Sequence, residues 1–445
     1  MPQTEPTEVR SARGGAWNGF LRSVNLPALL VLMSAIPVSA CESISHEDLR
    51  QVTGETGPEL AVEWSGLAYE IAYAEDQFLT FKGQRAIAMM HLAMHDALQA
   101  IVPVYAAYAH EANEPGAEPL AAAAQAAHDV MIAIYPDRAT DLAALLSAWQ
   151  DRVPPSNAKT LGIAVGSASA QTILARRAED GWDLAGEYAF RSGAGQYQTT
   201  PPWNGFTLQP GFRFARPFSF DDVAQFRPPP PPALDSPAYA EAMSEVRING
   251  DSTSTVRTDD ETGYALWWME FAESGVGRLA RRLLLERELD LWDANRVLAQ
   301  LYVALFDGYV TNWDSKYEYN HWRPYTAVRV ADDDGNAATQ SEPDWVPLRP
   351  TPPFPEYASA HATGCAAAFE VLAGTFGDAT PFENTSLTSP PGMAMRSFTG
   401  FRAAAAECAD SRVRLGWHFR YATEAGLETG TRIARHVMAT ILTPR

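Results

Sequence analysis

The stretch LDLWDANRVLAQLYVALFDGYVTNWDSKYEYNHWRP, residues 289–324, carries the helical pattern from which the fold is inferred. Apolar side chains recur there at intervals of three and four residues, which predicts a helix near 291–312. Lys316 and Arg323 lie seven residues apart, about two helical turns, so both side chains can lie on one face. Pro324 follows directly and is a residue type that ends or bends a helix.

Helical spacing of apolar residues extends over most of the chain, whereas the alternation typical of strands is scarce. Residues 42–75 look irregular and polar by comparison. The sequence therefore predicts an all-α protein built from two packed helical bundles. Further helices are predicted near 84–101, 118–134, 157–179, 236–247, 260–286, 360–376, 395–409 and 420–442.

A segment rich in glycine, proline and aromatic residues separates the two helical halves and ends in the proline run Pro228–Pro232. Proline lacks a backbone donor and disrupts helices, so the segment is predicted to be an extended connector. The predicted organisation is a signal or lipoprotein signal segment at 1–41, an N-terminal helical half at 42–190, the connector at 191–235 and a C-terminal helical half at 236–445.

Composition limits the classes of partner. The chain has 445 residues, of which 46% are hydrophobic, enough to build a substantial core. Its formal net charge of -20 argues against a nucleic-acid partner, because a phosphate backbone requires a basic surface. Any anion site must therefore be basic locally, against a negative overall field.

The first forty residues have the order of an export signal. Arg10, Arg13 and Arg22 precede an apolar run at 26–40, and small residues then lead into Cys41. This run is short for a bilayer span and typical of a signal peptide. Two interpretations stay open: a lipoprotein site with lipid on Cys41, or ordinary cleavage nearby. Both predict a periplasmic, lipid-anchored or secreted bacterial protein without a transmembrane span.

The chain has three cysteines, too few for a disulfide scaffold. Cys365 and Cys408 could pair with each other. The favoured interpretation is that both are small, buried apolar residues.

Three separate segments of the C-terminal half carry cationic and imidazole side chains suited to one tetrahedral oxyanion. Arginine matches oxyanion geometry and keeps its charge, and lysine adds a mobile point charge. A serine before an alanine-rich helix can cap that helix, and an anion beside it meets free backbone N–H groups at the positive end of the helix dipole. One imidazole can bind the central atom, and another can move protons. The residues are Lys316, Arg323, Ser359, His361, Ser411, Arg412 and His418.

The order Lys-x6-Arg-Pro, Ser-x-His and Ser-Arg-x5-His resembles the type 2 phosphatidic acid phosphatase superfamily, and within it the bacterial vanadium-dependent haloperoxidases. The resemblance also includes RAIAMMHLAMHDAL at 85–98 and the connector motif FRPPPPPAL at 226–234. It covers most of residues 80–440. Each motif alone is weak, and the combination is specific.

The resemblance implies that Lys316, Arg323 and Arg412 neutralise the equatorial oxygens of a vanadate cofactor. Ser359 would donate its hydroxyl to the same group, and Lys316 would also polarise peroxide. Ala360 stands where the family usually has glycine. Alanine keeps the backbone N–H that faces the oxyanion, provided that its φ angle is negative.

The resemblance also assigns the two histidines and a halide pocket. His361 matches the acid–base histidine. His418 matches the axial metal ligand of the haloperoxidases, which is the nucleophile of the phosphatases. Trp313 and Phe354 match the aromatic pair that lines the halide pocket in chloroperoxidase-like members, although simple core packing of two aromatic rings is the alternative.

Two positions depart from the family pattern. Ala358 replaces the usual proline before the serine. Ala422 stands where the phosphatases carry an aspartate four residues after the last histidine, a group that would orient a nucleophilic imidazole. Its loss weakens the phosphatase interpretation and leaves open which group orients His418.

The predicted function is a vanadate-dependent haloperoxidase that oxidises bromide, with chloride left open, using hydrogen peroxide to give a hypohalous acid-type halogenating species. A small organic molecule would accept the halogen, and a homodimer is compatible with the helical bundles. The first alternative is an exported acid phosphatase that binds phosphate in the same site with His418 as nucleophile. The second is a non-catalytic exported binding protein. His91 and His95 are interpreted as structural rather than as metal ligands.

Overall fold

The computed structural model describes residues 56–76 and 81–445. The predicted signal segment and Cys41 lie outside these residues. The N-terminal half of the described chain contains five α-helices. They are α1 (Glu59–Asp76), α2 (Phe81–Ile101), α3 (Pro119–Ile134), α4 (Ala139–Gln150) and α5 (Asn157–Arg176).

The C-terminal half contains eight further α-helices and one short hairpin. The helices are α6 (Pro237–Asn249), α7 (Asp259–Trp267), α8 (Ala272–Glu286), α9 (Leu291–Tyr319), α10 (Pro324–Arg329), α11 (Ala360–Phe376), α12 (Phe401–Arg414) and α13 (Arg420–Thr440). The hairpin strands β1 (Phe382–Thr385) and β2 (Met395–Phe398) are antiparallel, with Phe382 opposite Phe398. The all-α prediction is confirmed. In the described ranges, no helix is both long and apolar enough to cross a membrane.

Two long helices organise the core. Helix α9 has 29 residues and packs against α2 on one side and α11 on the other. Helix α13 packs closely on α11 because glycines, which have no side chain, lie at the contact. A Cβ atom added at Gly426 would lie 2.6 Å from the carbonyl oxygen of Ser359. This close approach places the start of α11 against α13.

Three of the predicted segments have a secondary structure different from the one expected. Residues 42–75, predicted to be irregular, contain α1, whose buried Leu60, Trp64, Ala68 and Ile71 follow helical spacing. The segment at 260–286 forms α7 and α8 with a break between them, although no proline or glycine marks that break. The segment at 395–409 begins as strand β2 and becomes helical only at Phe401.

The connector segment at 191–235 packs along α9. The Asp307 carboxylate accepts hydrogen bonds from the backbone N–H groups of Phe218 and Ser219 at 2.6 and 3.0 Å. Arg227, at the start of the proline run, pairs with Asp314 of the same helix at 2.5 Å. The described residues belong to one compact unit, and the predicted domain boundaries at 190 and 236 stay a prediction.

Cys365 and Cys408 form a disulfide, so the interpretation as two unpaired apolar residues was wrong. The bond joins α11 to α12, with Cα atoms 6.6 Å apart. Both cysteines are fully buried, which is why their burial could not distinguish the two interpretations. The bond therefore ties the helix that begins beside His361 to the helix that carries Arg412.

Replacing both cysteines by alanine is expected to lower the free energy of unfolding by about 4 kcal/mol, because the bond closes a loop with a sequence separation of 43 residues. Denaturant titration of the wild type and of the double variant measures the difference. Reductant should leave the unfolding of the double variant unchanged. Equal stabilities of the wild type and the double variant would show that the disulfide does not constrain the chain.

Candidate active site

Lys316 holds the loop that precedes α11. It lies in the last turn of α9 and is completely buried. Its Nζ atom donates hydrogen bonds to the carbonyl oxygens of Pro355, Glu356 and Ala358 at 3.1, 2.9 and 2.6 Å. The ammonium group thus fixes the backbone leading to Ser359.

Arg323 is the residue before α10 and joins the same loop to the segment after α12. Its Nε atom donates to the carbonyl oxygen of Phe354 at 2.9 Å, and its Nη1 atom donates to that of Trp417 at 2.9 Å. Its Nη2 atom is buried without a hydrogen-bond partner. The Phe354 ring lies 4.9 Å from the Lys316 ammonium and 4.8 Å from the Arg323 guanidinium, so it contacts both cations.

Ser359 caps α11, as the sequence predicts. Its hydroxyl accepts a hydrogen bond from the backbone N–H of Ala362 at 3.4 Å. The first intrahelical bond runs from the N–H of Thr363 to the carbonyl of Ser359, so the N–H groups of Ala360 and His361 belong to the unpaired first turn. Ala360 does not have a positive φ angle, so alanine can present its backbone N–H at this position as glycine would.

Arg412 is held by the break between α7 and α8. The break leaves the Trp268 carbonyl free of the helix, and this oxygen accepts a hydrogen bond from Arg412 Nη2 at 2.6 Å. The Trp268 backbone also acts on His361, raising the pKa of its ring against the larger lowering by burial and Arg412. His361 is only partly exposed, and its Nε2 atom is buried without a partner. The Trp268 carbonyl thus positions the Arg412 guanidinium.

Glu356 orients His418, and the sequence analysis did not identify it. Arg323 Nη1 lies 3.1 Å from His418 Nε2, and arginine can only donate, so Nε2 carries the lone pair. The proton must then be on Nδ1, which donates to Glu356 Oε1 at 2.8 Å. The backbone N–H of Phe419 donates to the same oxygen at 3.0 Å. Glu356 therefore fixes the tautomer that presents Nε2 to the site.

Position 422 contributes through its backbone instead. Ala422 is buried, and its carbonyl oxygen accepts a hydrogen bond from the N–H of Ser359 at 3.0 Å. The orienting group that the sequence lacks at this position comes from Glu356, 62 residues before His418. The absence of aspartate at 422 therefore no longer argues against a phosphatase.

Burial and mutual repulsion perturb the titration of the site. Burial lowers the pKa of Arg412 to about 9 and that of Arg323 to about 10. Burial, followed by the charges of Arg323 and Lys316, places the pKa of His418 well below its usual value. Burial also raises the pKa of Glu356 to about 8, against the opposing effect of Arg323 and Lys316. An anion bound among these groups would relieve the repulsion between cations.

A cavity of about 430 Å³ opens onto these residues. Ala360, His361, Arg412 and His418 line it, whereas Lys316, Arg323 and Ser359 are completely buried. Trp313 and Phe354 also line the cavity, with ring centroids 5.0 Å apart. The structure thus brings the three predicted segments together around one site, with the predicted halide-pocket pair beside it.

The histidines of α2 are buried and hydrogen-bond within the protein, which agrees with the structural interpretation. His91 Nδ1 lies 2.7 Å from the Asn295 side chain, and His95 Nε2 lies 3.1 Å from the carbonyl of Ala106. Within the described parts of the chain, the one cluster of metal-ligating side chains is His361 with the two disulfide-bonded cysteines. Bonded cysteines have no thiolate to offer, so this cluster is no cation site.

Three buried cations, two imidazoles and a capped helix start meet at one site in an all-helical core, a donor set that suits a tetrahedral oxyanion. A family profile described as the VCPO second helical-bundle domain matches residues 296–444. The vanadium chloroperoxidase of Curvularia inaequalis is 28% identical over 176 residues, which cover 32% of this chain and 28% of that enzyme.

Solved structures are similar over more of the chain. A bacterial vanadium-dependent iodoperoxidase superposes with a TM-score of 0.74 and 26% identity, covering 88% of this chain and 99% of its own. A bacterial vanadium-dependent chloroperoxidase shares the fold at 19% identity, with a TM-score of 0.62 and coverage of 80% and 90%. The chain thus matches the VCPO second helical-bundle domain over residues 296–444 and is similar in fold to bacterial vanadium-dependent haloperoxidases.

Proposed function

We propose that the chain binds vanadate and oxidises halide with hydrogen peroxide to a hypohalous acid-type species. The vanadate would be held by the group that we call the cage, which is formed by Lys316, Arg323, Ser359, Ala360, Arg412 and His418. One observation carries the proposal: the lone pair of His418 Nε2 faces Arg323, and the charges of Lys316 and Arg412 also act on this ring. Glu356, which binds the other ring nitrogen, is the carboxyl group beside these cations. Such a donor set suits a highly charged oxyanion whose central atom accepts a nitrogen ligand. Bound vanadate would supply Lewis acidity that activates peroxide toward halide.

Each residue has a defined part in holding the oxyanion. His418 Nε2 would exchange its contact with Arg323 for the central atom. Arg323 would then offer Nη1 together with Nη2, which is buried without a partner. Lys316 and Arg412 supply two further positive charges, and Ser359 and the N–H of Ala360 lie at the positive end of α11.

His361 is the residue placed to move protons. Burial and the charge of Arg412 keep its pKa well below the usual value, so the ring is neutral and can accept a proton from peroxide. His361 lines the cavity, and its Nε2 atom is buried without a hydrogen-bond partner, so this nitrogen is available for proton transfer. Lys316 would exchange one of its three carbonyl acceptors for the same peroxide and polarise it.

We assign the halide to the space beside Trp313 and Phe354. The indole N–H of Trp313 faces the Leu208 carbonyl at 3.4 Å, so the ring is fixed, and Phe354 contacts two cations. An apolar wall next to positive charge removes water from a halide while retaining electrostatic attraction. Bromide is the proposed substrate, and oxidation of chloride is an outcome for experiment.

Phe354→Ala is expected to raise the KM for bromide about tenfold, the equivalent of roughly 1.4 kcal/mol. The ring forms the halide wall, while the backbone carbonyl that binds Arg323 is retained. Steady-state bromination and vanadate affinity, measured separately, distinguish halide loss from collapse of the cage. Phe376→Ala, at the far end of α11, is the control. An unchanged bromide KM in Phe354→Ala would assign the aromatic pair to core packing.

An acid phosphatase is the second candidate, and the pairing of Glu356 with His418 favours it. A carboxylate that orients an imidazole is the arrangement of a nucleophilic histidine. In that reaction, His418 Nε2 would attack phosphorus, and His361, once it has been protonated, would donate that proton to the leaving group. Phosphate would occupy the same cage.

Two assays on the purified protein separate the candidates. Protein loaded with orthovanadate is assayed for peroxide-dependent bromination and chlorination of a phenolic dye, and vanadium-free protein is assayed for hydrolysis of 4-nitrophenyl phosphate. Halogenation that requires both vanadate and peroxide supports the haloperoxidase. Phosphate ester hydrolysis that vanadate inhibits, without any halogenation, supports the phosphatase. Failure to bind either oxyanion would favour a non-catalytic protein.

We also propose that the protein is exported. Its Cys365–Cys408 disulfide is stable in an oxidising compartment and uncommon in a bacterial cytoplasm. This is consistent with the signal segment predicted at 1–41. Lipid attachment at Cys41 and ordinary cleavage nearby are the two alternatives, which mass spectrometry of the mature N-terminus distinguishes. Light scattering tests whether the protein forms a homodimer.

A further inference from the structure

The cavity at the active site is larger than the oxyanion requires. A water molecule takes up about 30 Å³ in the liquid. An oxyanion of five heavy atoms occupies only a few times that volume, so most of the 430 Å³ stays open. The cage residues form only part of the wall. The remainder is largely apolar and includes Phe81, Trp203, Leu208, Met269, Phe271 and Trp417. We call this remainder the aromatic arm.

The aromatic arm is held rigidly. Trp203 donates its indole N–H to the carbonyl of Thr351 at 2.6 Å, and Trp417 donates to that of Arg349 at 2.8 Å. Both rings are thus attached to the same short segment at 349–351, which belongs to a proline-rich loop. Phe81 meets Trp313 edge-on, with centroids 4.7 Å apart. Fixed rings lose little entropy when a ligand binds.

The arm also carries a hydrogen-bonding pair. Glu273 and Tyr309 line the cavity, and the Tyr309 hydroxyl lies 3.2 Å from the Glu273 carboxylate. Both residues are buried. When ionised, a carboxyl group in this position repels an anionic ligand, and in either state its oxygens can accept a hydrogen bond from a neutral hydroxyl. Rigid aromatic faces in turn favour a planar ring, through stacked and edge-to-face contacts.

We infer that the aromatic arm binds a neutral, electron-rich arene with a hydroxyl group, of the phenol class, as the organic acceptor. The inferred reaction rests on the proposed haloperoxidase function, whereas the binding site does not. An aryl C–H bond breaks and a carbon–halogen bond forms as ArH + HOX → ArX + H2O. Because halide and peroxide supply HOX, the overall balance is ArH + X⁻ + H2O2 + H⁺ → ArX + 2 H2O. The ring is halogenated beside the site where the oxidant forms.

Binding to vanadium-free protein tests the site directly, with phenol and cyclohexanol as probes of similar size. Saturation-transfer NMR and competition titration should show that phenol binds at least fivefold more tightly than cyclohexanol. Met269→Trp, which fills the arm, should weaken phenol binding at least tenfold. Met395→Trp places the same side chain on the exposed strand β2 and should leave binding unchanged. Equal phenol affinity in the wild type and Met269→Trp overturns the site.

A product assay tests halogenation in place. The ortho-to-para ratio of bromophenols from the vanadate-loaded enzyme should differ at least twofold from the ratio given by reagent hypobromite in the same buffer. An identical ratio overturns the claim that the bound ring is the acceptor. Halide oxidation without phenol binding would refute the arm and leave the proposed function standing. Phenol binding that Met269→Trp abolishes, in a protein that does not oxidise halide, would support the phenol site and refute the proposed haloperoxidase function.

Discussion

His418→Ala is expected to reduce peroxide-dependent bromide oxidation by ~10³-fold, the loss typical of removing one essential group from a preorganised site. The variant removes the nitrogen proposed to bind the central atom. It also leaves Glu356 buried without its Nδ1–H donor. Vanadate affinity, followed by ⁵¹V NMR, should fall with activity, because the same atom would serve both.

A histidine on the neighbouring helix provides the matched control. His436 lies on α13, and its Nε2 atom contacts the carbonyl of Ser219 at 3.0 Å, away from the residues of the cage. His436→Ala should retain bromide oxidation and vanadate affinity within a factor of about two, as expected for a replacement outside the site. If His418→Ala retained both properties as well, His418 would be no ligand.

Glu356→Ala is expected to weaken vanadate binding 10- to 100-fold, the range of about one to two orders of magnitude found for partners that orient metal ligands. Without its acceptor, the His418 imidazole can rotate or change tautomer, and Nε2 no longer presents a fixed lone pair. Glu356→Gln retains a carbonyl oxygen that accepts the Nδ1 proton. We therefore expect its vanadate affinity to stay within about threefold of the wild type.

The two substitutions separate positioning from charge. Both remove a carboxyl group from the cation cluster, so a purely electrostatic role predicts the same change in both variants. Glu370→Ala controls for the loss of a buried carboxylate, since Glu370 pairs with Arg402 and Arg435 outside the site. It should lower stability and leave vanadate affinity unchanged. Equal affinities of the alanine and glutamine variants at position 356 would contradict the positioning role.

The sequence was most informative where the chemistry rests on side chains of fixed type. Lys316, Arg323 and Arg412 stand in motifs whose spacing suits one oxyanion, and the structure places them at one site. Helix α9 was predicted to begin at the correct residue, because its apolar pattern runs without interruption from Leu291. The predicted end at 312 came too early, since the helix continues to Tyr319.

The interactions that position the site were not predictable in the same way. Glu356 lies three residues before Ser359, but its partner is 62 residues away, and no spacing rule joins a carboxylate to a distant imidazole. The Trp268 carbonyl acts through the backbone, so no residue type announces it. The disulfide joins two helices whose packing is decided by the tertiary fold.

The helix errors have local causes. Helix α1 has apolar residues at helical intervals, but charged and glycine residues nearby obscured the pattern. The break after Trp267 has no helix-breaking residue type to mark it, and tertiary contacts override the local helical preference there. That break matters for function, since it frees the carbonyl that holds Arg412.

A crystal structure of the protein soaked with orthovanadate tests the central claim most directly. The account predicts vanadium bonded to His418 Nε2, with Glu356 still accepting the proton of Nδ1 and with Lys316, Arg323 and Arg412 donating to the oxygen ligands. The contact between Arg323 and His418 Nε2 should be replaced. Vanadate bound elsewhere, or held only by the cations while His418 keeps its contact with Arg323, would contradict the account.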